Sequence, residues 1–319
     1  MKALLLAAGH AKRLRPLSYD YPKALVPFLN TPLISILVQR LLTNREIGDI
    51  GVVVGNLKEK VIKYFKEKTK HSIEFFVQNK QLGTAHAALT AGSWLDDDVL
   101  ILAADCLFSR ETIDQLIENH LNSNASASIA LEPVPFDQIH KGSSVEIINR
   151  QITKIIEKPA PWEAPSSLNA AAIYLFRHEA LNYLSRISPS SRGEYEVPSA
   201  LNLLIKEGKK VNGTVITRIG HLTTPQDYYD LNYKLLAEHS TDSSFSFIND
   251  FTEIPAGVEV KRCIIGSNCS ILPSVKSLRN CLVLEGSTIR QKCNDSLIWY
   301  SSAENKTKTL KMTKSSNES

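Results

Sequence analysis

The sequence predicts an α/β fold, in which a doubly wound, mostly parallel sheet is followed by a short region of repeated strands. Three observations support this fold class. Apolar runs of strand length alternate with helical patterns through the first half of the chain. The run that opens the chain ends at a glycine followed by cations, and a six-residue period runs through the C-terminal region. With 319 residues, the chain is long enough for one large domain and a smaller one.

The first four predicted strands are continuous apolar runs, as expected for strands buried on both faces. They lie at residues 3–8, 50–54, 73–77 and 99–104. Helices are predicted to start at Thr31, where proline follows a capping threonine, and to cover residues 58–70 and the segment ending at Leu95. Ligands of such sheets bind outside the carboxyl ends of the strands. We therefore expect the loops after these strands to form one crevice.

The pattern changes from Ala127 onward. Residues 143–159 predict a hairpin that turns near Asn149 and Arg150, and further elements are predicted at 170–176, 195–207 and 211–218. Thr224, followed by Pro225 and by an acid three residues on, predicts the start of a helix that runs to about His239. Residues 1–240 are therefore predicted to form one domain.

Serine- and aspartate-rich residues predict a linker at 241–252. In residues 253–301, aliphatic side chains recur with a six-residue period that resembles the hexapeptide repeat of left-handed parallel β-helices. Four cysteines keep this period, with separations of 6, 12 and 12 residues, and no C-x-x-C pair predicts a zinc site. Residues 302–319 are predicted to be a disordered tail.

The charge balance excludes several function classes. A net charge of +4 with mixed signs predicts neither nucleic-acid nor membrane binding. No apolar stretch approaches the length of a transmembrane helix. The short apolar run at the N-terminus is followed directly by cations, which favours a strand over a signal peptide. The cytoplasm is the expected location.

The opening segment has the chemistry of a phosphate-binding turn. Gly9 ends the first strand, and Lys12, Arg13 and Arg15 follow it. Glycine lets backbone N–H groups approach an anion closely, and arginine adds a fork of donors that fits phosphate oxygens. Lys23 follows between two prolines. These residues predict phosphate binding at the carboxyl end of the first strand.

The same segment carries a resemblance. Leu-Ala-Ala-Gly-x-x-x-Arg, followed by Pro-Lys-x-Leu-x-Pro, resembles the signature of the sugar nucleotidyltransferases, which make nucleotide sugars. The resemblance implies a Rossmann-like nucleotidyltransferase fold, with a nucleoside triphosphate and a sugar 1-phosphate as substrates and Mg²⁺ as cofactor. It implies that Arg13 and Lys23 act in catalysis on the phosphates. Nucleotide contacts are implied at Leu6, Ala8 and Gly9.

Three further segments match the family. Gln78, Gly83 and Thr84 stand in a Gln-x-x-x-x-Gly-Thr-Ala segment that the resemblance assigns to the nucleobase, in a form that favours UTP or dTTP. A capped helix start at Thr84 is the alternative interpretation. Asp105 ends the fourth strand and is the implied metal ligand. Glu157, Lys158 and Asn169 are implied in sugar-phosphate binding.

The sequence departs from the family at Ala11, Lys12 and His221. The family has a second glycine near the first of these positions and a metal-binding aspartate at the last. The function hypothesis is Mg²⁺-dependent transfer of a nucleotidyl group from UTP or dTTP to a sugar 1-phosphate, with release of pyrophosphate. The alternative is a nucleotide-sugar-binding regulator with weakened or no turnover. The C-terminal repeat suggests a homo-oligomer surface, and the sugar and the base stay open.

Overall fold

The computed structural model describes residues 1–190, 192–216 and 220–313. The first strands are β1 Lys2–Ala7, β2 Pro27–Phe28, β3 Thr31–Pro32, β4 Ile50–Val54, β5 Glu74–Val77, β6 Val99–Ala103, β7 Cys106–Leu107, β8 Ala127–Pro133, β9 Ser143–Ile148, β10 Gln151–Glu157, β11 Leu168–Phe176, β12 Val211–Val215 and β13 Gly220–His221. The remaining strands are β14 Phe247–Ile248, β15 Glu259–Lys261, β16 Ile264–Ile265, β17 Ser270–Ile271, β18 Ser277–Val283, β19 Thr288–Ile289, β20 Cys293–Ser301 and β21 Lys306–Lys311. The α-helices are α1 Leu33–Leu42, α2 Lys58–Lys68, α3 Thr84–Leu89, α4 Arg110–Leu121, α5 Tyr183–Arg186, α6 Val197–Lys206 and α7 Pro225–His239.

The chain divides into two compact units. The sheet unit comprises Met1–His10 and the described residues of Ile36–His221. The C-terminal unit comprises Ala11–Ser35, which we call the signature loop, together with the described residues from Leu222 onward.

The sheet unit is built on one sheet with the strand order β5-β4-β1-β6-β11-β8-β12-β10-β9. The first four of these strands pair in parallel. Strand β11 runs antiparallel to both β6 and β8, and β10 runs antiparallel to β9 and β12. The sheet is therefore mixed, and the predicted mostly parallel arrangement holds only for the half that contains the opening strand. The antiparallel half arises because a hairpin connection can be short, whereas a parallel one needs a crossover.

The core of the sheet unit explains why these strands form. Leu4, Val53 and Ile101 are fully buried on neighbouring strands, in one cluster with apolar residues of α3, α5 and α6. Burying each such aliphatic side chain stabilises the fold by about 1.5–3 kcal/mol. Helix α4 packs against β8 and β12 through its own buried face. The alternation of strands and helices predicted from the sequence is confirmed for this unit.

Two predicted turns are confirmed, and one helix start is wrong. The hairpin β9–β10 turns at Asn149 and Arg150, whose φ values of 51° and 64° are those of a tight type I′ connection. Helix α7 begins after Thr224, which forms a reciprocal capping box with Asp227. Thr31, by contrast, caps no helix, because Thr31–Pro32 pairs with Pro27–Phe28 and α1 begins at Leu33.

The signature loop is held by α7 and the C-terminal strands within its own unit. The hydroxyl of Tyr228 donates to the carbonyl of Pro27 at 2.6 Å. The side chain of Asn30 donates to the carbonyl of Ile265 at 2.9 Å. The buried carboxylate of Asp20 accepts from two side chains of β20. This segment contains no α-helix before Leu33, so these contacts replace regular secondary structure.

The C-terminal strands pair mainly in parallel, in the order β14-β16-β18-β20. Ile264 pairs with Leu282 and Ser270 with Thr288, an offset of 18 residues in both cases. An offset of three six-residue repeats is what the predicted period requires. Cys263 and Cys281 lie in the buried core of these strands, so the cysteines act as small apolar residues.

The predicted boundaries of this region need two corrections. Phe247–Ile248, inside the predicted linker, is a strand that pairs with β16. Lys306–Lys311, inside the predicted disordered tail, is a strand that pairs antiparallel with β20. Its polar composition masked it, because the edge of β20 supplies the backbone hydrogen bonds that make it a strand. Residues 314–319 lie outside the described part of the chain. Among the described residues, no helix has the length and apolar character needed to span a bilayer.

Candidate active site

Three of the predicted site segments meet at one edge of the sheet unit. Gly9 follows β1, Gln78 follows β5 and Asp105 follows β6. These strands and β4 are parallel neighbours, so their carboxyl ends lie along the same edge. The expected convergence of these loops is therefore confirmed by the strand order.

The turn after β1 is open at its glycine. A Cβ atom added at Gly9 would meet no heavy atom within 4 Å, so packing within the chain does not require glycine here. The neighbouring Gly55 is different, because an added Cβ would lie 2.5 Å from the carbonyl oxygen of Ala8. The carbonyl of Leu6 accepts from the amide of Ala104 at 3.1 Å. The end of β1 is thus clamped on its sides and open at Gly9, where a ligand can approach the backbone.

The segment predicted to bind the base is rigidly held. The side-chain amide of Gln78 is buried, donates to the carbonyl of Gly83 at 3.1 Å and lies 2.9 Å from Nδ1 of His86. Gly83 has a φ of 112°, and a Cβ there would lie 2.3 Å from the carbonyl oxygen of Tyr195. Only glycine therefore fits at this position, for both conformational and steric reasons.

Thr84 has a role that the sequence interpretation did not anticipate. Its hydroxyl accepts from the amide of Val197, the first residue of α6, at 3.0 Å. It therefore satisfies a free N–H of another helix, whereas its own helix α3 has no side-chain cap. Gln81 was missed altogether. Its side chain donates to the carbonyl of Ala8 at 3.4 Å and so connects the segment of Gln78 to the turn after β1.

Asp105 lies in a cluster with Cys106 and His221. Strands β7 and β13 pair antiparallel with Cys106 opposite His221, which brings the imidazole to the carboxylate. Nε2 of His221 lies 3.4 Å from Oδ2 of Asp105, and the thiol of Cys106 donates to Oδ1 at 3.6 Å. The carboxylate, thiol and imidazole ligand atoms all lie within 4.8 Å of one another.

The chemistry of this cluster does not match Mg²⁺ well. Mg²⁺ prefers six oxygen ligands, whereas imidazole and thiol groups suit later transition metals. Of the three side chains only Asp105 offers oxygen. The Mg²⁺ predicted from the sequence would therefore have one protein ligand of the preferred kind here.

A second polar cluster surrounds Glu157. Its carboxylate accepts from the hydroxyl of Ser143 and lies 3.4 Å from the guanidinium of Arg192. Arg192 also forms an ion pair with Glu196, a buried residue that the sequence analysis missed. Burial and, next, the negative charge of Glu157 raise the pKa of Glu196 above its ordinary value. Two carboxylates sharing one arginine form a polar site of the kind that can bind hydroxyl groups.

Two residues predicted in sugar-phosphate binding have different surroundings. Lys158 is exposed and has a φ of 45°, and its amide donates to the carbonyl of Gly142 at 2.7 Å. Asn169 is buried, accepts from the amide of Ser143 at 2.9 Å and donates to Glu132 at 2.8 Å. Its amide is thus used inside the protein to hold β9 against its neighbours, which is a positioning contact.

The two cations predicted in catalysis belong to the C-terminal unit. Arg13 is exposed in a 3₁₀ helix, and Lys23 is half-buried in another. The residue before the first helix, Ala11, has a φ of 50°. Glycine adopts this left-handed conformation without strain, so the backbone keeps the shape that the family's second glycine would give it.

Comparisons with known proteins place these features in context. Residues 2–238 match the model of the nucleotidyl transferase family. The chain is 36% identical to the bifunctional protein GlmU of Methanococcus maripaludis over 240 residues, which are 74% of this chain and 54% of that protein. It is 32% identical to the UTP–glucose-1-phosphate uridylyltransferase AglF of Haloferax volcanii, over 66% of this chain and 86% of that protein. The chain thus spans about half the length of the GlmU relatives it matches.

Solved structures show the same fold. A UDP-glucose pyrophosphorylase bound to UDP-glucose aligns with a TM-score of 0.66 at 20% identity, over 74% of this chain and 98% of that one. A glucose-1-phosphate thymidylyltransferase from Bacillus anthracis, described as putative in its title, aligns with a TM-score of 0.65 at 26% identity, over 75% of this chain and 96% of that one. At 20% identity, the first of these similarities concerns the fold alone.

Proposed function

This chain belongs to the nucleotidyl transferase family, and we propose that it transfers a nucleotidyl group from a nucleoside triphosphate to a sugar 1-phosphate. In this reaction a phosphate oxygen of the sugar 1-phosphate attacks the α-phosphorus of the nucleotide. The bond from that phosphorus to the bridging oxygen breaks, and pyrophosphate leaves. The chemistry needs positioning and charge neutralisation and no covalent nucleophile.

One observation supports this function above all others. The loops of Gly9, Gln78 and Asp105 follow parallel strands of one sheet and lie along the same edge. One loop is open to an anion, one presents a buried amide that is rigidly held, and one ends in a carboxylate. A nucleotide has a phosphate chain, a base and a charge that a cation must neutralise, so its parts correspond to these three loops.

The residue roles follow from these groups. Gly9, with Leu6 and Ala8, lies at the phosphates, and Gln78 with Gly83 and Thr84 lies at the base. Arg13 binds the triphosphate, and Lys23 neutralises charge at the α-phosphate. Glu157, Lys158 and Asn169 serve the sugar phosphate, Asn169 by holding the strand beneath it. The amide of Gln78 can match the donor and acceptor edge of a pyrimidine, so UTP or dTTP is the proposed donor.

The proposed cofactor is a divalent cation with Asp105 as its ligand. Such a cation neutralises charge on the phosphates. Mg²⁺ is the ion predicted from the sequence, and the imidazole of His221 beside Asp105 is the feature that disagrees with it.

The test is pyrophosphate release by the purified chain. UTP, dTTP, CTP, ATP and GTP are each paired with glucose 1-phosphate or N-acetylglucosamine 1-phosphate, with Mg²⁺ or Mn²⁺. We expect release with UTP or dTTP, and at least a hundredfold lower kcat for Arg13→Ala. The exposed Arg45→Ala, which lies outside the predicted site, is the matched control and keeps full activity. No release with any pair would contradict the proposal.

A second function is favoured by one specific observation, the replacement of an acidic metal ligand by His221. A chain that binds nucleotide sugars without turnover would act as a regulator. Binding of a nucleotide sugar at micromolar concentration, with no pyrophosphate release under any of the conditions above, would establish it. The homo-oligomer through the C-terminal strands, the left-handed sense of those strands and the cytoplasmic location stay predictions.

A further inference from the structure

We propose that Asp105 and His221 form a two-ligand site that selects a first-row transition dication such as Mn²⁺, Co²⁺ or Zn²⁺ over Mg²⁺. The inference deepens the proposed function and rests on it, because the site lies where that reaction needs a cation. It concerns the identity of the ion, which the donor atoms of this chain decide.

The distance between the two ligand atoms fits a shared cation. Two donors that each lie about 2.1 Å from a metal, at an angle of about 110°, are about 3.4 Å apart. The observed separation between Nε2 of His221 and Oδ2 of Asp105 is 3.4 Å. A direct charge-assisted hydrogen bond between such groups would be shorter, at about 2.7–2.9 Å. The pair is therefore spaced as two ligands are, more than as a tight ion pair is.

The backbone fixes both ligands. His221 lies on β13, whose antiparallel pairing with β7 puts it opposite Cys106, the residue next to Asp105. Cys106 is fully buried, and its thiol donates to Oδ1 of Asp105 at 3.6 Å. The other carboxylate oxygen, Oδ2, then faces the imidazole. Cys106 acts as a positioning residue that orients the carboxylate towards His221, a second sphere typical of metal sites.

The two side chains remain accessible to an ion. The side chains of His221 and Asp105 are 39% and 32% exposed. Two protein ligands leave the remaining coordination positions for water or for phosphate oxygens of the substrates. One nitrogen and one oxygen donor favour ions towards the zinc end of the first transition series, because imidazole binds them well and binds Mg²⁺ poorly.

The test measures cation binding directly, on the full chain without nucleotide. Isothermal titration with MgCl₂ and ZnCl₂ gives the ratio of the two affinities, and Co²⁺ serves as a spectroscopic probe. We expect Zn²⁺ to bind at least tenfold more tightly than Mg²⁺. His221→Asp, which restores an all-oxygen pair, should reduce that ratio at least tenfold and remove the visible Co²⁺ bands. Asp105→Asn should weaken the binding of both ions.

The matched control is His71→Asp, an exposed histidine of the same unit outside the cluster. It makes the same chemical change and should leave the ratio unchanged. Zinc bound elsewhere in the chain would affect all variants equally and cancel in the comparison. Equal affinity ratios in the wild type and His221→Asp, with both folded by circular dichroism, would overturn the inference. Absence of pyrophosphate release would overturn the proposed function alone, because the binding measurement uses no substrate.

Discussion

Substituting Ser301 by alanine should loosen the loop that carries Arg13 and Lys23. The hydroxyl of Ser301 donates to Oδ1 of Asp20 at 3.0 Å, and the indole N–H of Trp299 donates to Oδ2 at 3.1 Å. All three residues lie in the C-terminal unit, and Asp20 and Ser301 are 5% and 1% exposed. The buried carboxylate therefore connects the signature loop to β20.

The magnitude follows from the charge of the acceptor. A hydrogen bond to a charged group contributes about 1.5–3 kcal/mol, and a buried partner left short of a donor bears most of that cost. We expect Ser301→Ala to lower the free energy of unfolding by about 2 kcal/mol. Every 1.4 kcal/mol is about a tenfold change in an equilibrium, so opening of the loop should become about 30-fold more frequent.

Urea unfolding and limited trypsin digestion measure these two effects. Trypsin cleaves after the lysines and arginines of the loop, and its rate follows the population of the open form when opening is fast. The matched control is Ser296→Ala on the same strand, whose buried hydroxyl donates to the nearby carbonyl of Asn294. It loses a local hydrogen bond and should leave loop cleavage unchanged. Equal cleavage of Ser301→Ala, Ser296→Ala and the wild type would refute the reasoning.

Three further predictions concern the sheet unit. Ala172 has a φ of 56° in a bulge of β11, so Ala172→Gly should raise the urea midpoint by the equivalent of about 1 kcal/mol, whereas Ala170→Gly should lower it. Burial lowers the pKa of His120 from 6.5 to about 4, so the unfolded chain takes up the proton first. Stability should be complete above pH 6.5 and fall by about 3 kcal/mol towards pH 4, and this loss should be absent in His120→Gln. Gln78→Ala removes the amide proposed to contact the base, so the KM for the nucleotide should rise about tenfold with a smaller change in kcat; unchanged kinetics would exclude that contact.

Local sequence patterns were enough to find the opening half of the sheet. The apolar runs of β1, β4 and β6 and the glycine after β1 need no information about distant residues, and neither does the capping box at Thr224. The loops at the strand ends could therefore be assigned to one edge before any coordinates. The resemblance added the expectation that His221 stands at a metal position, and the structure places it beside Asp105.

Contacts between residues far apart in the chain could not be predicted in this way. Asp20 and Trp299 are joined by one hydrogen bond across nearly the whole sequence. Glu196 shares an arginine with Glu157, but neither the spacing nor the composition around it indicates that contact. Strand β21 has no apolar pattern of its own, since its partner strand supplies the hydrogen bonds. In each of these cases the tertiary partner, and not local propensity, decides the structure.

The fate of the α-phosphate tests the proposed reaction most directly. The purified chain is incubated with a sugar 1-phosphate, a divalent cation, and UTP or dTTP labelled with ³²P at the α-phosphate or, in a parallel reaction, at the γ-phosphate. The account predicts that the α-label appears in a nucleotide sugar and the γ-label in pyrophosphate. Appearance of the γ-label on the sugar phosphate, or full retention of both labels in the triphosphate with every cation, would contradict it.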